Sequence, residues 1–267
     1  MARRISLVDL SSKRRRVRRL LFWGGILLAL GLLIVGILWV VVRSNLFKVR
    51  DINIIGATYI ASDDIREFLK LHVAQGPVTS LLGSENIFAW PDGFSENNLR
   101  DLPAVSSLQI KKNYFGHSVS VTITERKRLG IWCFAEVDPE QCFWFDANGT
   151  LFMPGYSAEG NLIPVLDDHS RKPLALGENV LEARFLPNLI SIFSALKSIR
   201  LSIREVRLND LGREEIEADT NDGLKLLFSL RFPAAGVPDA IAAVQKITPL
   251  SQLQYIDFRV ENKVYYK

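Results

Sequence analysis

The sequence has few of the residues with which enzymes most often do their chemistry. Its 267 residues include two cysteines, two methionines and three histidines, His72, His117 and His169, which are far apart and fit surface positions. Asp167 and Asp168 are neighbouring acids in a polar stretch, where we expect both to be solvated. No nucleophile elbow, His-Glu-x-x-His or phosphate-binding loop occurs. The sequence therefore predicts no enzyme, no metal site and no cofactor.

Charged, amide and hydroxyl side chains are all missing from one long run, residues 20–42, which reads LLFWGGILLALGLLIVGILWVVV. As a helix it would be about 35 Å long, and the hydrocarbon core of a bilayer is about 30 Å thick. Trp23 and Trp39 lie near its ends, where amphipathic rings favour the membrane interface. The run predicts a transmembrane helix. The alternative is a buried core helix, which is rarely apolar on every face in a protein of this size.

Basic residues on the two sides of this run predict its orientation. Residues 1–19 contain a single acid, Asp9, and eight basic residues: Arg3, Arg4, Lys13, Arg14, Arg15, Arg16, Arg18 and Arg19. Only Arg43, Lys48 and Arg50 follow closely on the other side. Since the side richer in Lys and Arg stays in the cytoplasm, we expect a cytoplasmic tail (1–19), a span (20–42) and an exterior part (43–267). A cleaved signal peptide is the competing interpretation, but its apolar region would be shorter.

This division removes an argument for nucleic-acid binding. The whole chain has a formal charge of +4, but 25 basic and 28 acidic residues remain once residues 1–19 are set aside. The part that folds outside the membrane is therefore mildly acidic, and we expect no nucleic-acid partner.

The two cysteines, Cys133 and Cys142, are then both in the exterior part, where disulfides persist. The residues between them include Asp138-Pro139, which indicates a turn. Two cysteines cannot supply four zinc ligands. They either close a hairpin with a disulfide bond or remain two free thiols.

Residues 43–127 have the pattern of a strand, two short helices and two further strands. Phe47 to Ile55 alternate like a strand, and Ser62 with the following acids begins a helix that we expect to end near Leu71. Ser95 begins a second helix, which Pro103 ends. Two alternating runs follow, on either side of a turn at residues 113–117.

Residues 128–267 begin with a hairpin around Asn148-Gly149, a pair that readily adopts positive φ. We expect a loop over 154–177, a helix over 181–199 and strands over 203–208, 215–218 and 224–230. A helix around residues 240–244 leads to a terminal strand that begins at Tyr255 and is interrupted at Asn262 and Lys263.

This arrangement closely resembles the FtsQ/DivIB family of bacterial cell-division proteins. The motif residues that carry the resemblance are a Pro-x-Val, a basic strand, a Glu-Arg pair and a terminal Ile-Asp-x-Arg: Pro103, Val105, Lys111, Lys112, Glu125, Arg126, Ile256, Asp257 and Arg259. The resemblance implies an α+β protein with a single N-terminal transmembrane helix. It also implies a POTRA domain (43–127, β-α-α-β-β) and a mixed "β domain" (128–267) with a C-terminal edge strand.

The resemblance implies a non-enzymatic scaffold that links early and late proteins of the division septum. FtsB (DivIC in some lineages) and FtsL would bind by adding a strand to the C-terminal edge. We place that edge on Arg259, Val260, Asn262 and Val264, with Tyr265 and Tyr266 as aromatic anchors, and Arg213 as a charged contact nearby. The POTRA domain would recruit other division proteins through Ile52, Ile54 and Gly56.

A second hypothesis is a membrane-anchored extracytoplasmic enzyme or ligand-binding sensor that reuses a POTRA module. It requires a polar-lined pocket within residues 128–267, whereas the scaffold hypothesis does not require such a pocket.

Overall fold

The computed structural model describes residues 7–95, 97–137, 141–156 and 163–267. Helix α1 (Leu7–Arg43) contains the apolar run, and its part from Leu20 to Arg43 is long and apolar enough to cross a membrane. None of that part is buried by the rest of the chain, which excludes a core helix. The first six residues, with Arg3 and Arg4, and the predicted Asp138-Pro139 turn lie outside the described residues.

A three-stranded sheet follows the helix, in the strand order β1-β3-β2. Its strands are β1 (Asp51–Ile55), β2 (Val105–Asn113) and β3 (Ser118–Glu125). Strands β1 and β3 are parallel, with Asp51 opposite Ser118 and Ile55 opposite Thr122. The first strand is shorter than its alternating pattern predicts, because Asn45–Phe47 form a 3-10 turn that Ser44 caps.

The helices between β1 and β2 differ in part from the prediction. Helix α2 (Ser62–Ala74) begins where expected and runs one turn longer. The predicted helix after Ser95 is only a 3-10 turn, Asn98–Asp101, while a short helix α3 (Thr79–Leu82) forms in a segment expected to be a loop.

The rest of the chain forms a nine-stranded mixed sheet, in the order β12-β11-β10-β9-β8-β7-β4-β5-β6. Its strands are β4 (Gly130–Phe134), β5 (Gln141–Phe145), β6 (Leu151–Gly155), β7 (Val165–Asp168), β8 (Ile203–Leu208), β9 (Glu215–Thr220), β10 (Lys225–Ser229), β11 (Tyr255–Asp257) and β12 (Tyr265–Tyr266). The pairs β4–β7, β7–β8 and β10–β11 are parallel.

Strand β7 lies in a segment that we predicted to be a loop. It sits between β4 and β8, and the carboxylate of Asp168 at its end is fully buried. This carboxylate accepts hydrogen bonds from Trp132 Nε1 (3.0 Å), from the backbone N–H and hydroxyl of Ser170 and from Arg171 Nε (2.8 Å). The expectation that Asp168 is solvated is therefore wrong, and the burial is tolerated because every lone pair has a donor.

Two helices, α4 (Leu186–Ser198) and α5 (Val237–Gln245), contribute to the main core with one face of the large sheet. Leu189, Ile192, Phe193 and Leu196 of α4 recur at helical spacing and are all buried. Burying each of these side chains stabilises the fold by roughly 1.5–3 kcal/mol.

The opposite face of the same sheet carries a second, smaller apolar cluster at β4 and β5. Because side chains alternate along a strand, Ile131 and Cys133 of β4 point away from the main core, where they form a small apolar cluster with Cys142. Cys133 and Cys142 are directly opposite each other on β4 and β5 and are joined by a disulfide bond.

Candidate functional site

The last strand of the large sheet, β12, consists of Tyr265 and Tyr266, the two residues predicted to be aromatic anchors for a partner. It pairs antiparallel with β11, so that Asp257 is opposite Tyr265 and Ile256 is opposite Tyr266. Both tyrosine side chains are exposed. The described sheet has no strand beyond β12.

The hydrogen bonds of this pair show which backbone groups remain open. The N–H of Lys267 donates to the carbonyl of Tyr255 (3.2 Å), and the N–H of Tyr255 donates to the carbonyl of Lys267 (3.4 Å). In an antiparallel pair, residues that exchange both bonds alternate with residues that exchange none. The N–H and C=O of Tyr266 therefore point away from β11, where another strand can bond to them.

The four residues predicted to lie in this edge strand form the connection before it. Strand β11 ends at Asp257, and residues 261 and 262 form a turn in which Asn262 has a φ of +58°. The N–H of Lys263 closes this turn on the carbonyl of Val260 (3.1 Å). Assigning Arg259, Val260, Asn262 and Val264 to the strand was therefore wrong, because the chain must reverse direction here for β12 to pair with β11.

Arg259 holds the start of this turn. Its guanidinium donates to both carboxylate oxygens of Asp257 (2.9 and 2.6 Å) and to Glu215 on β9 (2.9 Å). Hydrogen bonds from Arg259 lower the pKa of Asp257, although burial opposes them. The same bonds raise the pKa of Arg259. The Ile-Asp-x-Arg motif thus has an internal role, which is to tie β11 to β9.

Two clefts are lined by most of the other predicted contact residues. Arg213 and Arg259 both line a charged cleft of about 310 Å³, together with Lys225 and Glu217. Arg213 is exposed and is 3.4 Å from Asp210. Val260, Asn262 and Val264 line a second, more apolar cleft of about 360 Å³, whose other walls include Phe258 and Val237. The structure thus places these five residues in the walls of two clefts, and it does not place them in a strand.

The charged face of the sheet was not foreseen. Arg207 donates to Glu205 (3.1 Å), Glu217 (2.9 Å) and Asp219 (2.7 Å), and Lys225 Nζ lies 2.5 Å from Glu217. Burial raises the pKa of Glu217, but Lys225 and Arg207 outweigh it and leave that pKa below its ordinary value. The sequence did contain a sign of this charged face, because Glu205 and Arg207 alternate with the buried Val206 and Leu208 along β8.

The proposed recruitment residues lie at the edge of the small sheet. Strand β1 has one neighbour, β3, so its other side is open in the described sheet. Ile52 and Ile54 are half-buried. Gly56 follows the strand with a φ of +93°, and a Cβ there would lie 2.3 Å from the carbonyl oxygen of Ile123. Gly56 is thus required by the backbone itself.

A larger cleft of about 870 Å³ lies elsewhere in the chain, with walls from both hydrophobic and amide side chains. Asn148, Thr150 and Asn179 contribute amide and hydroxyl groups, and Arg126 also lines the cleft. Arg126 is already engaged, because it donates to Asp146 (2.6 Å) and to the carbonyl of Pro103 (2.9 Å).

No group of three His, Cys, Asp or Glu side chains in the described part of the chain is placed to hold a metal ion. His72 is stacked on Phe68, and His169 follows β7. No protein-family model matches the chain, and no curated protein matches it either.

Proposed function

We propose that this protein is a non-enzymatic, single-span membrane scaffold of the bacterial division machinery, of the FtsQ/DivIB type. Helix α1 would be the anchor, with residues 1–19 in the cytoplasm and residues 43–267 outside. Residues 43–127 would be the POTRA domain and residues 128–267 the β domain. The strand, helix and strand order of residues 51–125 supports this proposal, as does the sheet that ends at β12.

The observation that carries the proposal is the open backbone of Tyr266 at the end of the large sheet. An edge strand of two residues that leaves one N–H and one C=O unpaired is suited to strand addition by another chain. FtsB or DivIC, with FtsL, would supply that strand. The neighbouring clefts would then receive its side chains, with Arg213 available for an acidic residue and Tyr265 for packing.

The remaining parts of the proposal follow from the resemblance to the FtsQ/DivIB family. The open side of β1, with Ile52, Ile54 and Gly56, would recruit further division proteins. The protein would be located in the cytoplasmic membrane at the division septum, without a cofactor and without nucleic acid.

Replacing Tyr266 with proline tests the edge directly. Proline removes the outward N–H, and a sheet tolerates proline where the N–H faces away from its neighbour. We expect Tyr266→Pro to weaken binding to the FtsB/FtsL complex by about ten- to a hundredfold, since one hydrogen bond is lost and a partner carbonyl is left unpaired. The measurement is co-purification followed by titration of the purified full-length protein.

Two matched variants serve as controls for this experiment. Tyr266→Phe keeps the backbone N–H and should bind nearly as well as the original protein. Asn179→Leu changes the large cleft and should leave binding unaltered. Full binding by Tyr266→Pro would exclude strand addition at this edge, and failure of the original protein to bind would count against the whole proposal.

The second candidate function, a ligand-binding sensor, is favoured by the cleft of about 870 Å³, whose amide residues Asn148 and Asn179 lie within residues 128–267, although Pro103 and Arg126 of its lining lie before them. It predicts the opposite result for the cleft variant: Asn179→Leu would disrupt the protein's activity in cells, whereas Tyr266→Pro would not.

A further inference from the structure

The end of the apolar helix is held by a side chain that is far away in the sequence. The last four carbonyls of a helix have no partner within it. The carbonyl of Val40 accepts a hydrogen bond from the N–H of Ser44 (2.9 Å), and that of Val41 accepts one from Asn86 Nδ2 (2.8 Å). Asn86 is buried, and its Oδ1 also accepts a hydrogen bond from the N–H of Phe88. The segment around Asn86 is therefore fixed to the last turn of α1.

Further backbone contacts reinforce this joint. Lys48 and Asn86 form an isolated β-bridge, and the N–H of Val49 donates to the carbonyl of Glu85 (2.8 Å). Helix α3 packs beside the end of α1. The chain after the span and the chain from residue 79 to residue 88 thus lie together at one end of the helix.

This joint sets the depth of its neighbours relative to a membrane. The part of α1 from Leu20 to Arg43 would be about 36 Å long, somewhat more than the roughly 30 Å hydrocarbon core. Its last turn, which includes Val41 and ends at Arg43, would therefore lie at the boundary with the headgroup layer. Residues that contact this turn would lie at the same level.

Large apolar side chains are exposed in the segments next to this joint. Leu81 of α3 is 73% exposed, and Phe115 at the tip of the β2–β3 turn is 98% exposed. A series of rings links the chain just after the span to the β2–β3 turn: Phe47 and Phe88 have centroids 5.2 Å apart, and Phe88 and Tyr114 have centroids 5.4 Å apart. We define the juxtamembrane patch as the exposed apolar residues of this region: Leu46, Val78, Leu81, Phe88, Tyr114 and Phe115.

We propose that the juxtamembrane patch inserts into the outer interface of the bilayer that α1 spans. The proposal rests on the membrane anchoring described under the proposed function. A lipid surface is favoured as the occupant because the patch is continuous with the end of the span, and because aromatic and aliphatic side chains partition into this layer. Insertion would hold the three-stranded sheet in one orientation relative to the membrane. Partner proteins could then reach this sheet from fewer directions.

Fluorescent probes in the full-length protein test this placement. The native cysteines are joined to each other, so a single introduced cysteine can be labelled with an environment-sensitive dye under non-reducing conditions. Phe115→Cys and Leu81→Cys report on the patch. Ile55→Cys is the matched control, because it is an exposed apolar residue at the opposite end of the β1–β3 ladder. Leu30→Cys, near the middle of the apolar run, reports on the span itself.

The labelled proteins are reconstituted into phosphatidylcholine vesicles that contain lipids with a nitroxide on the acyl chain. We expect the probes at residues 115 and 81 to be quenched several-fold more strongly than the probe at residue 55. The probe at residue 30 should be quenched by nitroxides placed deeper in the chain.

The other outcomes distinguish a failure of the patch proposal from a failure of the proposed membrane anchor. If residue 30 is quenched and residues 115 and 81 behave like residue 55, the patch does not insert although the anchor does. Dyes at 115 and 81 that are shielded from water but not quenched would show a second copy of the protein over the patch, and would overturn the lipid assignment. An unquenched probe at residue 30 would count against the anchor itself.

Discussion

Glu125, at the end of β3, shows how a single carboxylate holds a distant loop. Its Oε1 accepts hydrogen bonds from three consecutive backbone N–H groups, those of Thr58 (2.7 Å), Tyr59 (2.8 Å) and Ile60 (3.2 Å). Burial raises the pKa of Glu125, but these three donors and Arg128 outweigh it and leave the pKa below its ordinary value. The negative charge is therefore stabilised in the folded protein.

This shift gives the stability of the protein a dependence on pH. A carboxylate whose pKa is lowered by folding stabilises the protein above its unfolded pKa, about 4.3 for glutamate, and loses this effect as the pH falls through the folded value. We expect Glu125→Ala to lower the free energy of unfolding by about 1–3 kcal/mol at pH 7, because three donors lose their acceptor. Urea unfolding of the full chain in detergent at pH 7 and below pH 4 measures both effects.

The control for this prediction is Glu125→Gln, which keeps one acceptor oxygen but removes the charge. It should cost less than the alanine variant at pH 7, and the difference from the original protein should shrink below pH 4. A difference that is constant with pH would show that the charge of Glu125 contributes nothing.

The neighbouring residue, Arg126, forms a second long-range contact. Its ion pair with Asp146 is mostly buried, and Asp146 also accepts hydrogen bonds from the N–H groups of Asn148 and Thr150. The Glu-Arg pair was recognised from sequence as part of a family motif, but its partners were not. Thr58 is 67 residues from Glu125, and nothing in the local pattern connects them.

At the scale of elements, the hairpin of β4 and β5 is closed by the disulfide between Cys133 and Cys142. A bond between residues nine apart in sequence removes loop entropy from the unfolded chain. The double variant Cys133→Ala, Cys142→Ala should therefore lower the free energy of unfolding by about 2–3 kcal/mol. Urea unfolding without reductant measures this loss.

Reduction provides the check on this second prediction. Dithiothreitol should destabilise the original protein by a similar amount and should leave the double variant unchanged. If the two proteins unfold at the same urea concentration without reductant, the bond contributes no net stability.

The other elements differ in how far local sequence predicts them. The hairpin at Asn148-Gly149 formed as expected, with Gly149 at a φ of +76°, because its conformation depends on neighbouring residues. Helix α4 is also local in origin, since its apolar spacing defines one buried face. Strand β7 was missed because its four residues gain stability only from the strands on either side.

For the molecule as a whole, the basic residues before the span predict its orientation. Replacing Lys13, Arg14, Arg15, Arg16, Arg18 and Arg19 with glutamine would leave Arg43, Lys48 and Arg50 as the main charges near the other end. We expect a several-fold fall in the share of molecules whose C-terminus is outside. An alkaline phosphatase reporter fused after Lys267 measures this share, since the enzyme is active only outside the cytoplasm.

The control for this prediction replaces Lys246 and Lys263 with glutamine. Both lysines lie too far from the span to influence its insertion. Reporter activity should then stay as in the original protein. If the change before the span also has no effect, the N-terminal charges do not determine the orientation.

The sequence by itself determined the long apolar helix, the α+β class, the main hairpins and the amphipathic helices. Each of these depends on composition or on spacing within a few residues, which act before any tertiary contact forms. The cysteine pair was also visible, but its pairing remained open until β4 and β5 were found side by side.

Only the tertiary structure decided which residues form the last strand of the large sheet. Ile256 and Phe258 are buried as a strand pattern suggests, but the alternation continues past Asp257 into a turn. Whether Val260 or Tyr266 presents its backbone outward depends on where the chain reverses and which residues then exchange hydrogen bonds with β11. The same holds for the burial of Asp168 and the contacts of Glu125, because pairing between distant segments is a property of the folded chain and not of any stretch of it.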